Sequence, residues 1–143
     1  MFVKQVSIFV DNKKGSIAEV ISILGESNIN IKALSVADAA DFGILRLIVD
    51  EPERAYYAIK EKDYNVKIAD TLGIEIKDEA NELAKVLNYI KKNDIEVTYI
   101  YSVIGYMKDH SVVIIKTPNL GETYELLKSF GVKIVNPSEI YKE

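Results

Sequence analysis

Cysteine is absent from this 143-residue chain, which excludes disulfides, thiol nucleophiles and thiolate metal sites together and suits a reducing compartment. Histidine occurs once, as His110, with no second ligand nearby in sequence, so no metal site is expected. No run approaches ~18 uninterrupted apolar residues. The opening Met1-Phe2-Val3-Lys4-Gln5-Val6 lacks the apolar stretch of a secretory signal, so the chain reads as cytoplasmic with no membrane partner. Neither sign of charge prevails: 18 Lys plus Arg face 22 Asp plus Glu, mixed along the chain for a net charge of -4, which disfavours nucleic acid as a partner. What is present is ordinary. Hydrophobic residues at 48% and charged residues at 28% match a folded globular protein, and the length allows one domain or two small ones.

The chain repeats itself. Ser16-Ile17-Ala18-Glu19-Val20-Ile21-Ser22-Ile23-Leu24 with Asn28-Ile29-Asn30-Ile31 returns 66 residues on as Glu82-Leu83-Ala84-Lys85-Val86-Leu87-Asn88-Tyr89-Ile90 with Asp94-Ile95-Glu96-Val97. After a two-residue insertion, Ala55-Tyr56 aligns with Thr123-Tyr124 and Tyr64-Asn65-Val66 with Val132-Lys133-Ile134, at an offset of 68. A period this long suits one small domain rather than a solenoid unit. Two domains are expected, residues 1–70 and 71–143, with almost no linker.

Within the first copy, Val6, Ile8 and Val10 alternate with Gln5, Ser7 and Phe9 as in a strand with one face more deeply buried. Ser16 with Glu19 matches a capping box, and Ile17, Val20, Ile21 and Leu24 follow at helical spacing, predicting a helix that ends near Ser27-Asn28. Strands are expected at Ile29–Ala37 and Gly43–Asp50 around an Ala39-Ala40-Asp41 turn. A helix follows Pro52 with Ala55, Ala58 and Ile59 inward, and strand character resumes at Asn65–Ile68. The second copy gives a strand at Thr71–Ile76, a helix at Asn81–Lys92, strands at Val97–Ile104 and Val112–Lys116, and a helix at Gly121–Phe130. The fold class is α+β: two tandem ferredoxin-like βαββαβ units, antiparallel sheets with helices on one face. Long apolar edge strands are usually covered or paired. The second strands, Ile31–Ala37 and Tyr99–Ile104, are therefore expected to pair and join the copies side by side into an eight-stranded sheet.

The loop Asp11-Asn12-Lys13-Lys14-Gly15-Ser16 opens a helix, where unpaired N–H groups and the positive end of the dipole favour an anion and Gly15 permits close approach. Lys13 and Lys14 add positive charge, and Asp11 and Asn12 can receive an ammonium, so an amino acid is a sensible ligand. The plain alternative is that Gly15 makes a turn, Ser16 caps a helix and both lysines are solvated.

The stretch Val10–Val20, the Asn28-Ile29-Asn30-Ile31 strand entry and Phe42-Gly43-Ile44-Leu45-Arg46-Leu47 resemble an ACT domain, the small-molecule sensing module of amino-acid metabolism. With both copies included, the chain resembles the stand-alone tandem ACT proteins, which carry no catalytic domain. The resemblance implies a ligand between this loop of one copy and the second strand of its neighbour. It thereby implicates Asp11–Ile17 together with Ser35, Val36, Tyr99 and Tyr101. The second copy departs where Asn81 stands in place of the family's glycine, a residue that also tolerates left-handed geometry and caps helices. Asp78 and Glu79 there would repel a carboxylate, so the first loop is expected to be the better site.

Rival classes are weaker. Acylphosphatase-like enzymes need an arginine in the first loop, whereas this chain has only Arg46 and Arg54; no nucleophile or acid–base pair stands out, and no enzyme is expected. RNA-recognition domains need stacking aromatics with basic surroundings, and Phe9 is the lone candidate at a pI of about 5.1. The serious competitor is an adaptor that docks a partner enzyme or homodimerises through its open sheet face. The expectation is a non-catalytic regulatory protein that binds a small molecule, an amino acid by preference, without a cofactor, as a homodimer or on a partner enzyme of amino-acid metabolism.

Overall fold

A computed structural model of the chain describes residues 2–38 and 41–141; the turn expected at Ala39-Ala40 lies outside them. The elements run β1 (Val3–Asp11), α1 (Ser16–Glu26), β2 (Ile31–Asp38), β3 (Phe42–Val49), α2 (Pro52–Lys60), β4 (Asn65–Lys77), α3 (Glu82–Lys92), β5 (Tyr99–Ser102), β6 (His110–Lys116), α4 (Leu120–Ser129), β7 (Lys133–Ile134) and α5 (Pro137–Tyr141). They form two compact units, one of Lys4–Ala69 with Tyr141, the other of Asp70–Ile140 with Val3.

In the first unit the strand order is β2-β3-β1-β4, with β3 antiparallel to both of its neighbours. Strand alternation sends Val6, Ile8 and Val10 of β1 and Leu45, Leu47 and Val49 of β3 to one face. There they meet Val20 and Leu24 of α1 and Ala55 and Ile59 of α2 in a single buried cluster, so both helices cover the same side. In the second unit the order is β7-β4-β6-β5, every pair antiparallel. Its core joins Ile74, Val113 and Ile115 to Val86 and Ile90 of α3 and Leu127 of α4.

The duplication extends to the backbone. Residues with left-handed φ recur at repeat-equivalent places: Gly15 and Asn81 at φ 88 and 71 before the first helix, Asn28 and Asp94 at 58 and 59 after it, Asp63 and Gly131 at 67 and 86 after the second. The ends of α1, α3 and α4 are closed by the same reversal, with Ile29 N donating to Leu24 O at 3.0 Å, Ile95 N to Ile90 O at 3.2 Å and Val132 N to Leu127 O at 3.1 Å. Such closure satisfies the last carbonyls of a helix when the residue beyond it turns left-handed.

Two expectations about the strands are corrected. The closing strand of the first copy and the opening strand of the second are one continuous β4 of 13 residues, since no proline or turn pair interrupts Ala69-Asp70-Thr71-Leu72. There are thus seven strands, not eight, among the described residues. Among the described residues the expected pairing of the two second strands does not occur: β2 pairs with β3, and β5 with β6. Each stands at an end of the strand order of the described residues, and β5 spans four residues, a short edge being one way of limiting unwanted pairing. Within β4, a Cβ at Gly73 would lie 3.2 Å from Ile140 Cδ1 and 3.4 Å from Val3 Cγ2, so glycine there admits the unanticipated helix α5 close to the strand.

Candidate functional site

The loop after β1 is tightly wound, with Lys13 N donating to Asp11 O at 2.8 Å and Ser16 N to Lys13 O at 3.3 Å. Gly15, at φ 88 and ψ -7, occupies the N-cap of α1, and Glu19 N donates to its carbonyl at 3.0 Å. The expected capping box is therefore absent. Glycine takes the cap position and pushes Ser16 into the first helical turn, where its side chain makes no cap bond. Ser16 is only 5% exposed, and its Oγ has no hydrogen-bond partner. Glu19 instead accepts a hydrogen bond from Tyr64 Oη at 2.5 Å.

These groups border a cavity of about 420 Å³ lined by Phe9, Val10, Asp11, Lys13, Ser16 and Glu19 on one side and by Phe42, Lys62, Asp63, Tyr64 and Asn65 on the other. The volume suits a small metabolite. Three carboxylates and two ammonium groups border it, at the positive end of the α1 dipole. The Glu19 carboxylate, by accepting the phenolic hydrogen, holds Tyr64 in its neutral form and pushes its pKa from 10.0 up to about 12; burial and the charges of Glu19 and Asp11 add to the shift.

Of the residues singled out from the sequence, Asp11, Lys13 and Ser16 line this cavity. Gly15 lies beside them with nothing within 4 Å of where a Cβ would sit. Asn12 turns away, its Nδ2 donating to Asp38 Oδ1 at 3.1 Å, which ties the loop to the end of β2. Lys14 and Ile17 are exposed and are not among the lining residues. Ser35 and Val36 lie on β2 opposite Arg46 and Leu45, outside the lining of the cavity. Tyr99 and Tyr101 belong to the second unit, where their rings stack at 6.3 Å between centroids. The wall from Lys62 to Asn65 was not anticipated as part of a site. Its one sequence signal was the recurrence of Tyr64-Asn65-Val66 in the repeat.

The second unit holds a cavity of about 350 Å³ at the corresponding place, lined by Glu75, Ile76, Lys77, Glu82, Lys85, Val86, His110, Phe130, Gly131, Val132 and Lys133. The correspondence is visible in the strand register: Asp11 faces Phe42 across β1 and β3, as Lys77 faces His110 across β4 and β6. Asp78 and Glu79, expected to make this loop acidic, are exposed and are not among the lining residues. Glu75 is the hub. Its Oε1 lies 3.2 Å from both Lys133 Nζ and Tyr106 Oη, and its Oε2 is 4.0 Å from His110 Nε2. Burial, then the hydrogen bond to Glu75, raises the pKa of Tyr106, and the same carboxylate raises that of Lys133. Among the described residues, no group of three or more His, Cys, Asp or Glu is placed to hold a metal, and no helix is long and apolar enough to cross a membrane.

A duplicated ferredoxin-like α+β unit, with a cavity at the head of the first helix in each copy, defines the class. The chain belongs to the ACT family: the model of the ACT domain pair matches residues 1–142. Protein BT0572 from Bacteroides thetaiotaomicron, a solved structure, is 38% identical, with 100% of this chain and 98% of that one covered at a TM-score of 0.91. The ligand-free regulatory subunit of aspartate kinase from Thermus thermophilus is 13% identical, over 88% of this chain and 91% of that one, at a TM-score of 0.65. The corresponding subunit from Thermus flavus is 12% identical, over 90% of each chain, at 0.63. The two Thermus proteins share the fold. No match is found among the curated proteins.

Proposed function

We propose that the chain is a non-catalytic regulatory protein of the cytoplasm that binds an amino acid in the first copy's cavity. The observation that carries this reading is Ser16 Oγ, a buried hydroxyl with no partner at the N-terminus of α1 and at the wall of the cavity. A buried polar group left unsatisfied costs about 1–3 kcal/mol, and a ligand carboxylate would satisfy it. The positive end of the α1 dipole and the Lys13 ammonium favour the same anion. Asp11 and Asp63, on other parts of the lining, suit the ligand's ammonium.

The regulatory subunits of aspartate kinase that share the fold support an output through a partner enzyme of amino-acid metabolism, or through a homodimer that responds to the ligand. Ser35 and Val36 on β2 and Tyr99 and Tyr101 on β5, outside the lining of the first cavity, are kept only as candidates for the second-strand edge that completes a pocket in the family pattern. A thermal-shift screen with the twenty amino acids tests the reading, because a ligand that binds only the folded state raises its apparent stability. One or a few should raise Tm in the native chain and lose that effect in Ser16→Ala. No shift with any of them would favour the adaptor.

A further inference from the structure

We infer that the second copy carries a ligand site of its own, in the cavity beside His110, selective for a small organic carboxylate that lacks an ammonium group. The two cavities occupy the same place in the repeat, yet their charges differ in a consistent way. Asp11, Glu19 and Asn65 of the first correspond to Lys77, Lys85 and Lys133 of the second. Where the first has an excess of carboxylates, the second has three lysines against Glu75 and Glu82.

Both of those carboxylates are already engaged by lysine. Glu75 is held by Lys133 and Tyr106, and Glu82 Oε1 lies 3.5 Å from Lys85 Nζ. An incoming ammonium would have to displace one of these partners. Lys77, in contrast, has no carboxylate partner among the described residues and lines the cavity. A carboxylate ligand gains there a charge-assisted bond that costs no existing pair. Burial sharpens the case, since His110 Nδ1 is a buried nitrogen without a hydrogen-bond partner, as Ser16 Oγ is in the first copy. Ile76, Val86 and Val132 give the cavity an apolar side that suits a short aliphatic tail, so the class is a small 2-oxo acid or a similar monocarboxylate.

His110 is the only histidine in the chain, so its imidazole proton resonances need no assignment and report on this cavity alone. The test is an NMR titration of the full chain with 2-oxobutyrate, with L-2-aminobutyrate, which has the same carbon skeleton but carries an ammonium, and with inorganic phosphate. The expected result is a saturable shift of the His110 signals with 2-oxobutyrate, at least about tenfold weaker binding of the amino acid, and a loss of about tenfold in Lys77→Gln, the scale of one charge-assisted hydrogen bond. Lys77 is exposed, so the variant keeps its fold. Equal or tighter binding of L-2-aminobutyrate at His110, an equal response to phosphate, or no saturable shift would overturn the assignment. The Ser16→Ala variant separates this site from the first: it should leave the His110 titration unchanged even if amino-acid binding in the first copy proves wrong.

Discussion

Replacing Gly15 by alanine isolates the backbone cost of the loop on which the first cavity is built. At φ 88 the residue sits where an L side chain is strained, yet a Cβ there meets nothing within 4 Å. The penalty is therefore conformational, with no steric part. Left-handed geometry costs a non-glycine residue roughly 1–2 kcal/mol, and the smaller unfolded-state entropy of alanine returns about 0.4–1 kcal/mol, leaving a net loss near 1 kcal/mol. Asparagine already stands at the equivalent position of the second copy, Asn81, at φ 71, so Gly15→Asn should cost about half as much or less. Urea denaturation of the three proteins, followed by far-ultraviolet circular dichroism, measures both effects as shifts in midpoint at constant slope. An alanine variant as stable as the native chain, or an asparagine variant as damaged as alanine, would refute the left-handed N-cap.

The alkaline limb of stability should report Tyr64. Its folded pKa is raised from 10.0 to about 12, so its contribution is present in full below pH 10 and is lost as pH rises towards 12. Tyr64→Phe should flatten that limb, and an unchanged limb would count against the Glu19 hydrogen bond. The buried pair Thr117 and Thr123, with hydroxyl oxygens 2.6 Å apart, should respond unequally. Thr117→Val leaves Thr123 Oγ1 still bonded to Asn119 O at 3.0 Å and should cost less than about 1 kcal/mol. Thr123→Val strands the Thr117 hydroxyl and should cost about 1–3 kcal/mol by equilibrium unfolding. Equal losses would show that the bond to Asn119 does not matter.

Local features were the most legible from sequence. The repeat announced itself through matched apolar positions, and Gly15 and Asn81 through their chemistry, because left-handed geometry selects few residue types. Two local signals compete at the head of α1: Ser16 with Glu19 has the spacing of a capping box, but the adjacent Gly15 takes the cap position. Continuity of β4 was hidden because Ala69-Asp70-Thr71 carries no mark that separates a strand end from a strand middle. The cavity walls were hidden for a different reason. Lys62 to Asn65 and Lys133 arrive from distant segments, so the charge of each cavity depends on tertiary structure. Asp78 and Glu79, although adjacent in sequence to α3, face solvent instead of the site.

Calorimetric titration of the amino acid that gives the largest thermal shift, into the native chain and into Ser16→Ala, tests most directly whether the first cavity is a ligand site. The Ser16 hydroxyl is proposed to satisfy a ligand carboxylate, a bond worth about 1.5–3 kcal/mol, so affinity should fall by roughly tenfold or more. The unliganded variant should be no less stable than the native chain, since it loses a buried hydroxyl that had no partner. Equal affinity in the two proteins would contradict binding at this site.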